Sequence, residues 1–252
     1  MTTTAHSGSG DINASLALLW DMRERPTRGP KPGLTLDGIV TAAVRLADAE
    51  GLEAVSMRRI AADLGVGTMS LYRYVPGKAE LLDLMLDRVN ECADEAELAG
   101  LGWRERLQAC ARGSWALYLR HPWLLQVDQS RFVIGPNALA GFEQYMRGLG
   151  GLDLSDPERV MVVTVVDGLI TGIARAHVNA MQAEKRTGMT DEEHWTAQDP
   201  ILVKAMATGN YPTLASLTED AFGSGFEETF EFALQRLLDG LEAFVTRRRE
   251  GQ

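Results

Sequence analysis

Cysteine and histidine are scarce in this sequence. The 252 residues contain two cysteines, Cys92 and Cys110, and four histidines that are scattered over separate segments. The cysteine spacing fits neither a disulfide framework nor a zinc motif, and isolated histidines are more often packing residues than ligands. The sequence therefore predicts a protein of a reducing, cytoplasmic compartment with no metal and no bound cofactor.

Long hydrophobic runs, a secretion signal and catalytic motifs are also missing. The longest apolar stretch, Val160 to Ile170, is interrupted by Thr164 and Asp167 and is shorter than the ~20 residues that span a membrane. The sequence has no nucleophile elbow, zinc-protease motif, phosphate loop or complete dinucleotide fingerprint. We therefore expect a soluble protein that has no membrane partner and is not an enzyme.

Charge is distributed unevenly along the chain. The formal net charge is -10, but residues 1–80 carry nine basic and nine acidic side chains, so the whole acidic excess lies in residues 81–252. A local basic run lies between Arg23 and Lys31. Because charge can be segregated in this way, the acidity of the whole chain does not exclude DNA as a partner.

The N-terminal region divides into a polar tail, a short helix and a linker. The first ten residues are rich in Thr, Ser and Gly, which is typical of a mobile tail, and apolar spacing predicts a helix from Asp11 to Met22. The prolines and glycines that follow form a linker that contains the basic run. This linker is either a flexible connector or an arm whose Arg25 and Arg28 enter a minor groove.

Strand-like alternation is missing, and helical spacing is present throughout. Ser155 and Glu158 form a capping box with a proline between them, which predicts a strong helix that runs to about Lys185. This helix is apolar on nearly every side from Val160 to Val178, so we expect it to be central. The fold class is all-α, with three parts: an N-terminal extension with a basic linker (1–33), a three-helix helix-turn-helix domain (34–90), and a larger helical ligand-binding and dimerisation domain (91–252).

Two short helices around a glycine turn make up the predicted helix-turn-helix. Ser56 caps the first helix, which stops at Gly65-Val66-Gly67, and the second begins near Thr68. On the second helix Leu71 and Val75 can pack inward. The remaining side chains are then free to face a major groove.

The stretch SMRRIAADLGVGTMSLYRYVPGK, from Ser56 to Lys78, resembles the DNA-binding domain of the TetR family of bacterial transcriptional regulators. The resemblance covers most of residues 35–90, and the later helices are similar to the regulatory domain of that family. It implies a homodimer that binds a palindromic double-stranded DNA operator, represses transcription and is released by a small-molecule effector. The DNA contacts that it implies by position are Arg58, Thr68, Met69, Ser70, Tyr72, Arg73, Tyr74 and Lys78.

Asp167 stands out because its neighbours in the sequence are apolar. A carboxylate there needs a partner, which is either a hydrogen-bonding or ionic group of the protein or a bound effector. Aromatic and polar side chains on nearby predicted helices could line an effector pocket with it. The candidates are Trp115, Tyr118, Phe142, Tyr145, Met146, Thr164, Asp167 and Thr171.

Two features predict helix pairing with a second subunit. Glycines four residues apart on a helix favour close packing, and the C-terminal helix repeats apolar residues at spacings of four and three. The alternative is that both helices pack within one subunit. The candidate interface residues are Gly168, Gly172, Phe230, Leu234, Leu237, Leu241 and Phe244.

Two other functions remain open at this point. A constitutive DNA-binding protein would share the helix-turn-helix but have a filled C-terminal core and no effector. A helical ligand-binding protein would retain the pocket and show no salt-sensitive affinity for duplex DNA.

Overall fold

A computed structural model of the chain describes residues 5–20, 34–90, 95–218 and 220–250. These residues form thirteen α-helices, which confirms the predicted all-α fold. They also contain two short strands, β1 (Ala5–His6) and β2 (Val127–Asp128), which pair in parallel. No residue pattern in these two segments indicated this pairing.

The first residues described do not form a free tail, so that expectation was wrong. Ser7 is buried, β1 pairs with β2, and Asp11 caps the helix α1 (Ile12–Leu19). The predicted end of this helix, Met22, lies outside the described residues, as does the basic run that follows it. Serine and glycine are common in mobile tails, but here they approach buried carboxylates of a distant helix.

The next four helices share one hydrophobic core. They are α2 (Leu36–Glu50), α3 (Met57–Asp63), α4 (Thr68–Leu71) and α5 (Lys78–Val89). Thr35 and Ser56 cap α2 and α3 through their side-chain oxygens, as their residue types predict. Gly51 ends α2 at a φ of 87°, a conformation that favours glycine, and a 3₁₀ turn (Leu52–Ala54) follows.

The rest of the chain is a helical bundle with a long insertion. Its helices are α6 (Glu95–Leu98), α7 (Trp103–Arg120), α8 (Pro136–Leu149), α9 (Asp156–Thr187), α10 (Asp191–Thr196), α11 (Asp199–Ala207), α12 (Pro212–Ala215) and α13 (Phe226–Glu250). A 3₁₀ turn (Pro122–Gln126) follows α7. The capping box forms as predicted, because the Ser155 backbone N–H donates to Glu158 Oε2 at 2.7 Å. Apolar side chains of α7, α9 and α13 form the main core of this bundle.

Helix α9 has a central place in the bundle, as expected from the sequence, but one of its faces is uncovered in the protomer. It packs against α7, α8 and α13, yet Met161 is 59% exposed and Val165 is 57% exposed. By length and hydropathy α9 could cross a membrane. Its contacts with three helices and the carboxylate of Asp167 near its middle are instead features of a bundle helix.

The insertion between α9 and α13 is not covered by its own protomer. Helices α10, α11 and α12 bury no residue. Large apolar side chains of the insertion are exposed, and these include Trp195, Ile201, Val203, Tyr211, Leu214 and Phe222. Such a surface is rare in a protein that works as a single chain.

Candidate DNA interface and effector site

Helices α3 and α4 are held in a fixed arrangement by a tight turn and a shared core. Gly65 lies in the turn at a φ of 67°, a conformation that favours glycine, and the Val66 backbone N–H donates to the Ala61 carbonyl at 2.9 Å. Ile60 and Leu71 are fully buried. Because α4 is only one turn long, this packing stabilises it more than its intrinsic helicity does.

The outer face of α4 and of the turn after it carries side chains that can reach DNA. Met69 is 76% exposed and Tyr72 is 45% exposed, although both are large and mainly apolar. The Arg73 guanidinium lies 3.4 Å from Ser70 Oγ. Exposed methionine and tyrosine can contact a thymine methyl group, and hydroxyl and guanidinium groups can bind base edges or phosphates.

Ion pairs distinguish the arginines of this domain. Arg59 donates to Glu50 at 2.6 Å, and Arg45 and Arg88 also pair with acids. Arg58, next to Arg59 on α3, is exposed and has no acidic partner among the described residues. Its charge is therefore available to an external anion.

A polar cluster joins α7, α8 and α9. Thr171 Oγ1 donates to the Tyr118 hydroxyl at 3.2 Å, and that hydroxyl lies 3.5 Å from Asp167 Oδ1. One turn earlier on α7, Ser114 Oγ lies 3.2 Å from the hydroxyl of Tyr145. These contacts bring together four of the predicted effector residues, Tyr118, Tyr145, Asp167 and Thr171.

Burial sets the protonation of the tyrosines in this cluster. Desolvation and the nearby Asp167 carboxylate raise the pKa of Tyr118 to about 12, and burial likewise raises the pKa of Tyr145. Both hydroxyls are therefore protonated at neutral pH and can donate hydrogen bonds. Asp167 retains accessible surface, but the surrounding atoms desolvate its carboxylate and raise its pKa above the ordinary value.

An aromatic stack lies beside the polar cluster. Trp115 stacks on Phe230 with ring centroids 4.6 Å apart and planes 6° from parallel. His177 meets the edges of Trp115 and Phe226, and its buried Nδ1 has no hydrogen-bond partner among the described residues. His177 and Ser114 are not among the residues that the sequence predicts for this site. The sequence feature that could have identified His177 is its position on α9, seven residues or about two helical turns after the buried Ile170.

Three of the predicted effector residues lie apart from the hydrogen-bonded cluster. Phe142 is exposed, and Met146 is partly buried. Thr164 Oγ1 bonds to the Val160 carbonyl of its own helix at 2.9 Å. Two cavities, of about 380 and 220 Å³, lie elsewhere. An effector that binds between Tyr118, Asp167 and Thr171 would have to separate side chains that now contact each other.

One carboxylate on α2 connects the domain formed by α2 to α5 with the helical bundle, close to the polar cluster. Asp48 on α2 accepts hydrogen bonds from His121 Nδ1 and Trp123 Nε1, both at 2.7 Å. His121 directly follows α7, whose last turn carries Tyr118. The polar cluster is thus connected to α2 by one turn of helix and two hydrogen bonds.

Comparison with known proteins identifies this arrangement. The sequence model for bacterial regulatory proteins of the tetR family matches residues 39–85, and the model for tetracyclin repressor-like C-terminal domains matches residues 98–245. The chain belongs to the TetR family. The HTH-type transcriptional repressor DrrR1 of Streptomyces coeruleorubidus is 57% identical over 248 residues, which are 98% of this chain and 92% of that relative.

Solved structures agree with the TetR assignment. The Streptomyces coelicolor TetR family protein ActR in complex with (S)-DNPA is 28% identical and has a TM-score of 0.65, with 84% of this chain and 98% of that chain covered. The ActR complex with actinorhodin, also 28% identical, has a TM-score of 0.61 with 84% and 97% covered. Relatives and fold together support a ligand-responsive DNA-binding repressor.

The residues predicted to contact DNA have the following positions in the structure. Thr68, Met69, Ser70, Tyr72 and Arg73 lie on α4 and the turn after it, Arg58 lies on α3, and Lys78 is exposed at the start of α5. Tyr74 is partly buried and packs against the domain core. Arg25 and Arg28 lie outside the described residues.

We predict that Arg58→Ala weakens operator binding more than Arg59→Ala does. Both changes remove one positive charge from adjacent positions of α3, but the Arg59 guanidinium is bound to Glu50. A lost base contact costs about 1–3 kcal/mol, so titration of a fluorescent operator should show a roughly 5- to 150-fold loss for Arg58→Ala. Equal losses for the two variants would contradict the assignment of Arg58.

We predict that Asp167→Asn stabilises the protein at neutral pH. Burial raises the folded-state pKa of Asp167, so ionisation disfavours folding, and the stability present below pH ~4 is lost as the pH rises through the folded pKa. The uncharged asparagine avoids this loss. Denaturant unfolding at pH 7.5 and pH 4 should show an advantage that shrinks on acidification, whereas a pH-independent difference would rule out ionisation as the cause.

Proposed function

We propose that the protein is a cytoplasmic repressor that binds an approximately palindromic operator as a homodimer and releases it when a small molecule binds between α7, α8 and α9. The observation that carries this proposal is the outer face of α4 and of the turn after it, where the large side chains of Met69 and Tyr72 are exposed. The repressor name of the 57% identical relative supports the sign of regulation.

The proposed dimer surface is an uncovered stripe on α9. Met161, Val165, Gly168 and Gly172 recur at spacings of four, three and four, so they share one face of the helix. A Cβ added at either glycine would meet no atom within 4 Å. Because glycine costs a helix about 1 kcal/mol relative to alanine, packing outside the protomer is a physical reason for both residues.

Helix α13 supplies a matching stripe beside α9. Leu237 is partly buried, Phe244 is 41% exposed, and a Cβ at Gly240 between them would meet open space. An apolar groove of about 220 Å³ lies between the two stripes. Phe230 and Leu234 are fully buried in the protomer, and Leu241 is nearly so, which limits the proposed interface to the other candidate residues.

The insertion between α9 and α13 extends the same surface. It leaves from one stripe-bearing helix and returns to the other, and its apolar side chains are uncovered. We propose that it packs on the second subunit. A symmetric pair of subunits then presents two copies of α4 to successive turns of the operator.

We predict that Gly168→Gln disrupts the dimer and that Gly113→Gln does not. Both glycines are exposed on helices and face open space in the protomer, and both changes favour helix formation. Gly113 lies on α7, away from the stripes. Sedimentation equilibrium should therefore give a weaker dimer for Gly168→Gln alone, and an unchanged dimer in that variant would exclude the α9 stripe.

The polar cluster indicates the chemistry of the effector. Tyr118 donates hydrogen bonds at neutral pH, Asp167 accepts them, and Trp115 and Tyr145 add aromatic surface. We therefore propose an aromatic ligand that carries hydroxyl or carbonyl groups. Related ActR has been solved with (S)-DNPA and with actinorhodin.

The proposed switch acts through the end of α7. A ligand that separates Tyr118 from Thr171 displaces the last turn of α7, and with it the His121 and Trp123 donors to Asp48. Such a ligand shifts the protein towards a second arrangement of the DNA-binding domains only by its difference in affinity for the two arrangements.

Selection of bound duplexes from a random DNA pool tests the proposed function. We expect a two-fold symmetric site, which Tyr72→Ala loses. In Arg25→Ala/Arg28→Ala the dependence of affinity on salt should fall if the basic segment contacts phosphates. A symmetric site whose affinity no compound changes would indicate a constitutive DNA-binding protein. Recovery of no sequence above background would contradict DNA recognition altogether.

A further inference from the structure

A row of three buried carboxylates lies along one face of α5. Glu80, Asp83 and Asp87 are spaced three and four residues apart. No lysine or arginine forms an ion pair with any of them among the described residues. A buried carboxylate needs hydrogen-bond donors. The segments that cover this face of α5 must therefore supply them.

The donors to Glu80 and Asp83 come from the N-terminal segment. Asp83 Oδ1 accepts from Ser7 Oγ at 2.8 Å and from the Gly8 backbone N–H at 3.0 Å, and its Oδ2 accepts from Ser15 Oγ at 2.8 Å. Glu80 Oε1 accepts from the Asp11 backbone N–H at 2.9 Å. Ser7 and Ser15 are themselves buried, so these contacts are shielded from water.

Glycines make this close approach possible. A Cβ at Gly10 would lie 2.3 Å from Glu80 Oε1, and a Cβ at Gly8 would lie 2.6 Å from the Arg131 carbonyl oxygen. Gly8 also has a φ of 65°, which favours glycine. The segment therefore fits closely against α5 on one side and against the chain after β2 on the other.

The same segment binds the regulatory part of the chain. β1 pairs with β2, the Ser7 backbone N–H donates to the Asp128 carbonyl at 3.0 Å, and Trp20 Nε1 donates to the Ile134 carbonyl at 3.1 Å. Neither family model covers residues 5–20. This bridge between α5 and the start of the regulatory bundle is therefore an addition to the two matched domains.

We propose that residues 5–20 form a strap that couples the regulatory domain to the DNA-binding domain through Asp83. Displacement of β2 or of the start of α8 moves the strap, and Ser7, Gly8 and Ser15 transmit that movement to α5. With the strap in place, α5 is held in the orientation that suits the operator. The inference rests on the proposed function, because it concerns how operator affinity is controlled.

The test compares Ser7→Ala/Ser15→Ala with the control Ser9→Ala. The double variant removes both hydroxyl donors to Asp83 and leaves the sequence of α5 unchanged. Ser9 Oγ donates to the exposed His6 carbonyl and to no other group in the described part of the chain. The measurements are operator affinity at two salt concentrations with a duplex from the random-pool selection, the thermal midpoint, and hydrogen exchange at residues 5–20 and 127–138.

We expect the double variant to lose about two- to thirtyfold in operator affinity, the range for residues that carry coupling between sites, with an unchanged salt dependence. Exchange at residues 127–138 should rise, and Ser9→Ala should behave like the parent protein. A lower thermal midpoint with unchanged affinity would overturn the proposal, because the strap would then only stabilise the fold. A reduced salt dependence would also overturn it, since the strap would then contact DNA.

Failure of the proposed function gives a different result. If the selection recovers no duplex from the parent protein, DNA recognition is contradicted whatever the strap does. Hydrogen exchange still tests the strap in that case. Unchanged exchange at residues 127–138 in the double variant would overturn the strap independently.

Discussion

Three carboxylates of the DNA-binding domain accept hydrogen bonds from other segments of the chain, and the rest of the structure depends on these bonds. Asp48 accepts from the turn after α7, Asp83 from the N-terminal segment, and Asp87 from the backbone N–H groups of Asn137 and Ala138 at the start of α8. Removing a carboxylate from water is costly unless donors replace the lost hydration. For Asp87 this cost is visible, because burial raises its pKa even though both backbone donors act in the opposite direction. The position of the domains relative to each other is therefore tied to hydrogen bonds that neither domain makes alone.

The same arrangement resolves an electrostatic difficulty. The chain is strongly acidic, and a nucleic-acid surface that displayed its acids would repel phosphates. In this domain the acids of α5 face inward, and Glu50 is occupied by Arg59. The exposed cations Arg58, Arg73 and Lys78 then set the local field at the proposed DNA surface.

Local signals predicted much of the fold. The cap at Ser56 and the capping box at Ser155 both act at short range, so their effect is readable from neighbouring residues. Contacts across long stretches of chain were not readable. Asp83 is 76 residues from Ser7, and a Ser- and Gly-rich segment has the same composition whether it is free or held.

The candidate sites show the same limit. Tyr118, Asp167 and Thr171 were predicted as neighbours and are hydrogen-bonded in the structure, but helical spacing could not reveal that the Thr164 hydroxyl binds its own helix. Along α13, spacing identified a seam without showing what covers each part. Phe230 lies inside the protomer and Phe244 is 41% exposed, although both belong to the same repeat.

Because α4 is a single turn, the residues that pack in the domain core are different from those that face the proposed DNA surface. Leu71 and Val75 are fully buried and belong to the domain core, whereas Met69 contributes almost nothing to it. Substitutions on the outer face are therefore nearly free of cost to folding, since surface changes rarely alter stability by more than about 0.5 kcal/mol. Duplicated copies of such a gene can drift to new target sequences one residue at a time while every intermediate remains folded.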